Sequence, residues 1–160
     1  MDIRFGTSGW RAVIADEFTF ENVRKVVNAI CSYLKTQEGH EGGTVIVGHD
    51  SRFMGEKFSE FAAELMARSG FHVLFCTGPT PTPTISHAIR SRSALGALNF
   101  TASHNPPEYQ GIKFSTANGA PALPEITRAI EELVRSDAEA VAEAGGSVEA
   151  FNRSEERRVG

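Results

Sequence analysis

Two short segments hold the residues best equipped for chemistry. In 101–107, read TASHNPP, a hydroxyl, an imidazole and a carboxamide (Ser103, His104 and Asn105) stand in succession before Pro106 and Pro107. The prolines donate no backbone hydrogen bond and hold φ at about −65°, and Pro106 pushes Asn105 away from α geometry. A stiff loop holding the Ser103 hydroxyl away from the core follows. A serine beside a histidine invites a nucleophile; a polar turn in which Ser103 and Asn105 cap neighbouring backbone groups is the other reading. In 5–11, FGTSGWR, two glycines flank Thr7 and Ser8, and Arg11 adds a planar cation suited to phosphate oxygens. Gly-Thr-Ser-Gly reads equally as an ordinary loop.

The elements that must position these groups follow from periodicity. Residues 94–100 carry no charge and suit a strand buried on both faces, although periodicity alone also admits a buried helical turn. Such a strand would end where open α/β sheets place their ligands. After the loop, 111–114 reads as a strand in which Lys113 projects to the side opposite Ile112 and Phe114. Facing water, Lys113 is a surface residue; facing the Ser103 loop, it is a cation in a partly desolvated cleft with base character. Asn118-Gly119 marks a tight turn.

Upstream, 3–5 reads as a short strand. Val23, Val26, Val27, Ile30 and Leu34 share one helix face behind a cap at Thr19 or Asp16. A β-branched strand at 44–47 leads into GHDSR, where Asp50 and Arg52 either line or brace a site, or belong to an Asx turn capping the next helix. That helix carries Phe58, Phe61, Ala62, Leu65 and Met66, with Gly70 at its C′ position, and a strand at 71–76 follows. GPTPTP at 78–83 is a stiff connection in which Thr82 and Pro83 serve as N-cap and N1 of a helix through Ile85, Ala88 and Ile89. Pro124 starts a last helix with Ile126, Ala129, Ile130, Leu133 and Val134 on one face.

The 160 residues suffice for one domain with a core. A net charge of −4 provides no basic stripe for nucleic acid, so an anion needs a local site. Cys31 and Cys76 lie in apolar runs and read as buried free thiols. No stretch approaches a membrane span and no apolar leader opens the chain, which points to the cytoplasm. The histidines show no zinc spacing, and the G-x-S-x-G elbow of a serine hydrolase is absent.

TASHNP followed by Gly111, Ile112 and Lys113, with FGTSGWR placed upstream, resembles the α-D-phosphohexomutases, the phosphoglucomutase and phosphomannomutase family. The likeness runs from residue 3 to about residue 144 and corresponds to that family's first domain. It implies an α/β domain of three layers, α/β/α, with a mixed, mostly parallel sheet over 1–144. It also implies an isomerase that moves a phosphoryl group between the 1- and 6-positions of a hexose phosphate through a bisphosphorylated sugar. On this resemblance Ser103 is the phosphoserine carrier and, through its phosphate, a ligand of Mg²⁺. His104 and Arg11 support the reacting oxygens, Lys113 is general base or partner of the sugar hydroxyl, and Thr7, Ser8, Arg11 and Lys113 hold phosphate. Hexose 1,6-bisphosphate is the implied activator and a phosphosugar the implied substrate.

The family's Mg²⁺ loop and most of its sugar contacts belong to later domains, which the sequence lacks, so little or no mutase activity is expected of the chain alone. Ser8, where phosphoglucosamine mutases usually carry Asp, leans towards a glucose or mannose mutase. A noncatalytic phosphosugar-binding or assembly module that has kept the loop is the alternative. Residues 145–160 read as a linker and a charged tail, RSEERRVG, similar to translated sequencing-adapter read-through.

Overall fold

The computed structural model describes residues 2–7, 9–137 and 142–152. They fold in the order β1 (Gly9–Val13), α1 (Phe20–Leu34), β2 (Thr44–His49), α2 (Gly55–Arg68), β3 (His72–Cys76), α3 (Thr82–Ser91), β4 (Gly96–Phe100), β5 (Tyr109–Thr116), α4 (Pro124–Arg135) and β6 (Ser147–Phe151). The strands lie side by side as β1-β5-β4-β2-β3-β6. β2 pairs in parallel with β3 and β4, and β3 with β6, while β5 is antiparallel to both β1 and β4. Only β5 therefore runs against the rest. This is the mixed, mostly parallel sheet expected.

Side chains from successive strand residues leave the sheet on opposite faces, which builds two cores. Val45, Val47, Leu98, Phe100, Ile112 and Phe114 meet α1, α2 and α4, the last two helices through Phe58, Met66, Ile130 and Val134. On the other face, Ile46, Leu74, Cys76, Ala97 and Phe151 meet α3 through Ile85 and Ile89. Three helices on one side and one on the other make the three layers.

The aromatic cluster on the crowded face fixes the orientation of β1. Phe18 is fully buried; it stacks on Trp10 at 4.7 Å between centroids and meets Phe58 and Phe100 edge-on. Each such pair adds about 0.5–1.5 kcal/mol beyond area burial. With Trp10 and Ala12 held in the core, Arg11 has to leave from the opposite face of the strand, where it is exposed. The same logic applies to β5, whose Ile112 and Phe114 are buried while Lys113 is only half-buried on the other side.

Several local expectations are corrected. Residues 3–5 form no strand, although Ile3 and Phe5 are buried; the Phe5 amide instead donates to Glu131 Oε1 at 2.6 Å. Trp10 and Arg11, read as loop, belong to β1. Helix α3 begins one residue early, with Pro81 as N-cap and Thr82 as its first residue. Residues 147–151, expected in a linker, form β6 and extend the sheet beyond β3. Only Phe151 of β6 is buried, so the strand has no apolar alternation to read and is held by its backbone pairing. The tail at 153–160 lies outside the described residues. Thr19 caps α1 as expected, accepting from the Asn22 amide at 3.2 Å. Among the described residues no helix is long and apolar enough to cross a membrane.

Cys31 and Cys76 are free and buried. Burial pushes the Cys31 thiol up to about 12, against a weaker opposing hydrogen bond from Ser69. Because both thiols are buried, and the reactive thiolate is further disfavoured at Cys31, neither cysteine should react with a disulfide reagent at pH 8 until urea unfolds the chain. Folding stability should also fall as pH rises above about 9, where the unfolded thiol ionises and the folded one retains its proton.

Candidate active site

Strand β4 ends at Phe100, and the next residues turn sharply upward from the sheet edge. Ser103 adopts φ 54°, the left-handed region disfavoured by a Cβ. Its amide donates to Thr101 Oγ1 at 3.1 Å, the Asn105 amide donates to the Ala102 carbonyl at 3.0 Å, and the Tyr109 amide to the Pro106 carbonyl at 3.0 Å. These bonds and the two prolines leave the Ser103 side chain exposed. Non-glycine residues persist in this conformation where the surroundings impose it, commonly at functional sites. Ser103→Gly should therefore raise stability by about 1 kcal/mol in a denaturation experiment, whereas Ser103→Ala should give no such gain.

What imposes the loop is Arg52. Its Nη2 donates to the carbonyls of Ser103 at 2.8 Å and Asn105 at 2.7 Å, and its Nη1 to those of Pro106 at 2.8 Å and Tyr109 at 3.2 Å. Asp50 holds the guanidinium from behind, Oδ2 lying 3.5 Å from Nε, and Asp50 Oδ1 accepts from the Arg52 amide at 2.9 Å in the anticipated Asx turn. The turn does not cap α2, whose N-cap is Met54 with no side-chain bond. Of the readings open for Asp50 and Arg52, bracing is the one the geometry adopts.

Two cations share the face beside this loop. Gly9 stands opposite Lys113 in the β1–β5 ladder and Arg11 opposite Gly111, so Arg11 and Lys113 leave the same side of the sheet. Arg11 Nη1 also donates to Asn105 Oδ1 at 3.1 Å, tying β1 to the loop. A cleft of about 130 Å³ results, lined by Gly9, Trp10, Arg11, Thr82, Thr101, Ser103, Ile112 and Lys113. Thus Ser103, Arg11 and Lys113, singled out from the sequence, meet in one cleft. His104 is exposed beside it, with Nδ1 3.4 Å from Ser103 Oγ. Thr7 is exposed and does not line the cleft, and Ser8 is outside the described residues. Thr82 and Thr101 were missed as lining residues. A threonine opening a helix and one closing a strand read as structural punctuation, and only the topology puts both at one sheet edge.

The lining offers two cations and three hydroxyls and no carboxylate. Among the described residues, no group of three or more His, Cys, Asp or Glu could hold a metal ion. That donor set does not fit Mg²⁺, which recruits carboxylates and keeps its waters. It suits an anion, which the cations attract and the hydroxyls can hydrogen-bond.

Fold and cleft together define an α/β/α domain that presents one serine hydroxyl to a cationic pocket at the sheet's edge. The chain belongs to the phosphoglucomutase/phosphomannomutase family: residues 2–141 match the model of its alpha/beta/alpha domain I. It is 38% identical over 133 residues to a phosphoglucomutase/phosphomannomutase of Thermococcus kodakarensis, covering 83% of this chain and 29% of that protein. It is 33% identical over 133 residues to a phosphoglucosamine mutase of Clostridium botulinum, with coverages of 83% and 29%. Among solved structures, a candidate phosphomannomutase from Thermus thermophilus superposes with a TM-score of 0.85 at 41% identity, over 95% of this chain and 33% of that one. The chain thus spans less than a third of the length of these two curated relatives. Relatives of both names stand at similar identity to this chain.

Proposed function

We propose that this chain is the phosphoserine-bearing domain of a phosphohexomutase, interconverting hexose 1-phosphate and hexose 6-phosphate through a bisphosphorylated sugar. The observation that carries this reading is Ser103 itself, held in a left-handed conformation by Arg52 and opening on the cleft that Arg11 and Lys113 line. In the forward step a sugar hydroxyl oxygen bonds to phosphorus as the bond from phosphorus to Ser103 Oγ breaks. Lys113 takes the hydroxyl proton and passes it to the departing Ser103 Oγ, which lines the same cleft. After the bisphosphate turns over, Ser103 Oγ bonds to the other phosphorus, the sugar oxygen departs, and the Ser103 proton passes through Lys113 to that oxygen. Phosphoserine is regenerated and no atom is gained or lost.

Arg11 offsets charge on the equatorial phosphoryl oxygens, the term that dominates such transfers. His104 supports the Ser103 oxygen, and Thr7 and Ser8, on the segment before β1, are assigned to phosphate. Hexose 1,6-bisphosphate loads the serine. Ser103 would meet Mg²⁺ through its phosphate; the remaining Mg²⁺ ligands and most sugar contacts are assigned to polypeptide beyond this chain, so the chain alone should show little or no mutase turnover.

Peptide mass spectrometry after incubation with glucose 1,6-bisphosphate tests the assignment. One phosphate on Ser103, absent from Ser103→Ala, is expected. A full-length version that stays unlabelled at every bisphosphate concentration would favour a noncatalytic phosphosugar-binding module.

A further inference from the structure

Asn99 is the anomaly of β4. It lies on a strand whose every residue is buried, and it is itself only 4% exposed, where an aliphatic side chain would pack without a desolvation cost. Its Nδ2 donates to Thr82 Oγ1 at 3.0 Å, while its Oδ1 is buried with no hydrogen-bond partner among the described residues. A buried amide left half-satisfied asks for a reason beyond packing. The ladder supplies its address, because Asn99 stands in register with Lys113 on the cleft face of the sheet.

The bond has a directional consequence for Thr82. The threonine oxygen already accepts from Asn99, so its own proton must go to another acceptor, and none among the described residues takes it. As the first residue of α3, Thr82 has no preceding helical turn whose carbonyl could receive that proton. Thr82 lines the cleft with Arg11 and Lys113, at the end of the helix where unpaired amides and the helix dipole favour negative charge. The free proton, the two cations and the helix end converge on the same small volume.

We infer that Thr82 donates a hydrogen bond to a phosphate oxygen in this cleft, with Asn99 as the positioning residue that turns the hydroxyl outward. The inference rests on the phosphoryl-transfer reading above and adds to it a neutral donor facing the transferred group. The Asn99 amide accordingly acts through Thr82 and makes no contact of its own with the anion.

The test is an NMR titration of the chain with inorganic phosphate, followed at the Thr82, Arg11 and Lys113 amides. Thr82→Val should weaken phosphate binding roughly tenfold, the loss of one hydrogen bond to a charged acceptor. Thr82→Ser should stay within about twofold of the parent, because it restores that bond. Asn99→Leu, which keeps the size and apolar surroundings of the position, should weaken binding nearly as much. The double variant Thr82→Val/Asn99→Leu should be no weaker than Thr82→Val alone, because the two residues act as one unit. Parental affinity in Thr82→Val, additive losses in the double variant, or no phosphate shift at these amides in the parent chain would each overturn the inference. Ser103 labelling by bisphosphate separates it from the reading beneath it. Labelling without cleft binding sinks the Thr82 subsite alone, whereas phosphate binding that depends on Thr82, with a full-length version that never labels, sinks the carrier.

Discussion

Replacing Arg52 with methionine is expected to loosen the Ser103 loop while the sheet stays folded. The guanidinium, whose side chain is only 15% exposed, is the shared donor to four carbonyls of one loop. A hydrogen bond to a charged group contributes about 1.5–3 kcal/mol, and water will replace part of what is lost here, so a net loss of about 3 kcal/mol is anticipated. In urea unfolding the midpoint should fall accordingly. Hydrogen exchange should accelerate at the Asn105 and Tyr109 amides, which bond within the loop, and not at those of β2. Labelling of Ser103 by bisphosphate should drop with the loss of order, because transfer depends on placing the oxygen in line with phosphorus. Arg52→Lys keeps the charge but cannot span both pairs of carbonyls from one ammonium, so it should recover only part of each effect. Unchanged exchange at Asn105 and Tyr109 in Arg52→Met would show that the prolines alone set the loop.

Gly111→Ala should be more damaging to the fold than its single methyl group suggests. A Cβ at this position would lie 2.5 Å from the Thr101 carbonyl oxygen and 2.8 Å from that of Trp10, the backbones of the two flanking segments. Neither is a flexible side chain that can swing away. β5 is held between β1 and β4 and has no free edge to yield, so a cost of about 3 kcal/mol, the upper end for overpacking, is expected. Thermal unfolding should show it directly. Gly78→Ala serves as the control, since nothing lies within 4 Å of a Cβ there, and it should change stability by less than about 0.5 kcal/mol. A Gly111→Ala chain that melts with the parent would mean that β1 and β4 part without cost.

These two positions also mark how far the sequence could be read. The buried strand, the proline-stiffened loop and the amphipathic helices were legible because each depends on neighbours a few residues away. Lys113 was placed on the side opposite Ile112 and Phe114 by alternation alone, and the ladder with Gly9 puts that side in the cleft. Arg52 was noticed, but its partners are carbonyls at least 51 residues away, which no side-chain pattern encodes. Asn99 was absorbed into an uncharged run, because an amide within an apolar strand leaves the periodicity intact. The glycines and hydroxyls ahead of Arg11 signal a loop, although Trp10 and Ala12 flanking a cation are already a strand alternation. β6 escaped entirely, since an edge strand with one buried side chain is specified by hydrogen bonds that every residue can make.

Strand β6 has a bearing on how a larger machine would be put together. Its direction is that of β4, so the backbone arrives at Phe151 travelling towards the rim from which the serine rises, three strand spacings or about 14 Å to one side. A module fused after Asn152 would start out at the doorstep of the pocket instead of the far pole. A tether of a few residues would suffice to swing its surface over the opening as a roof.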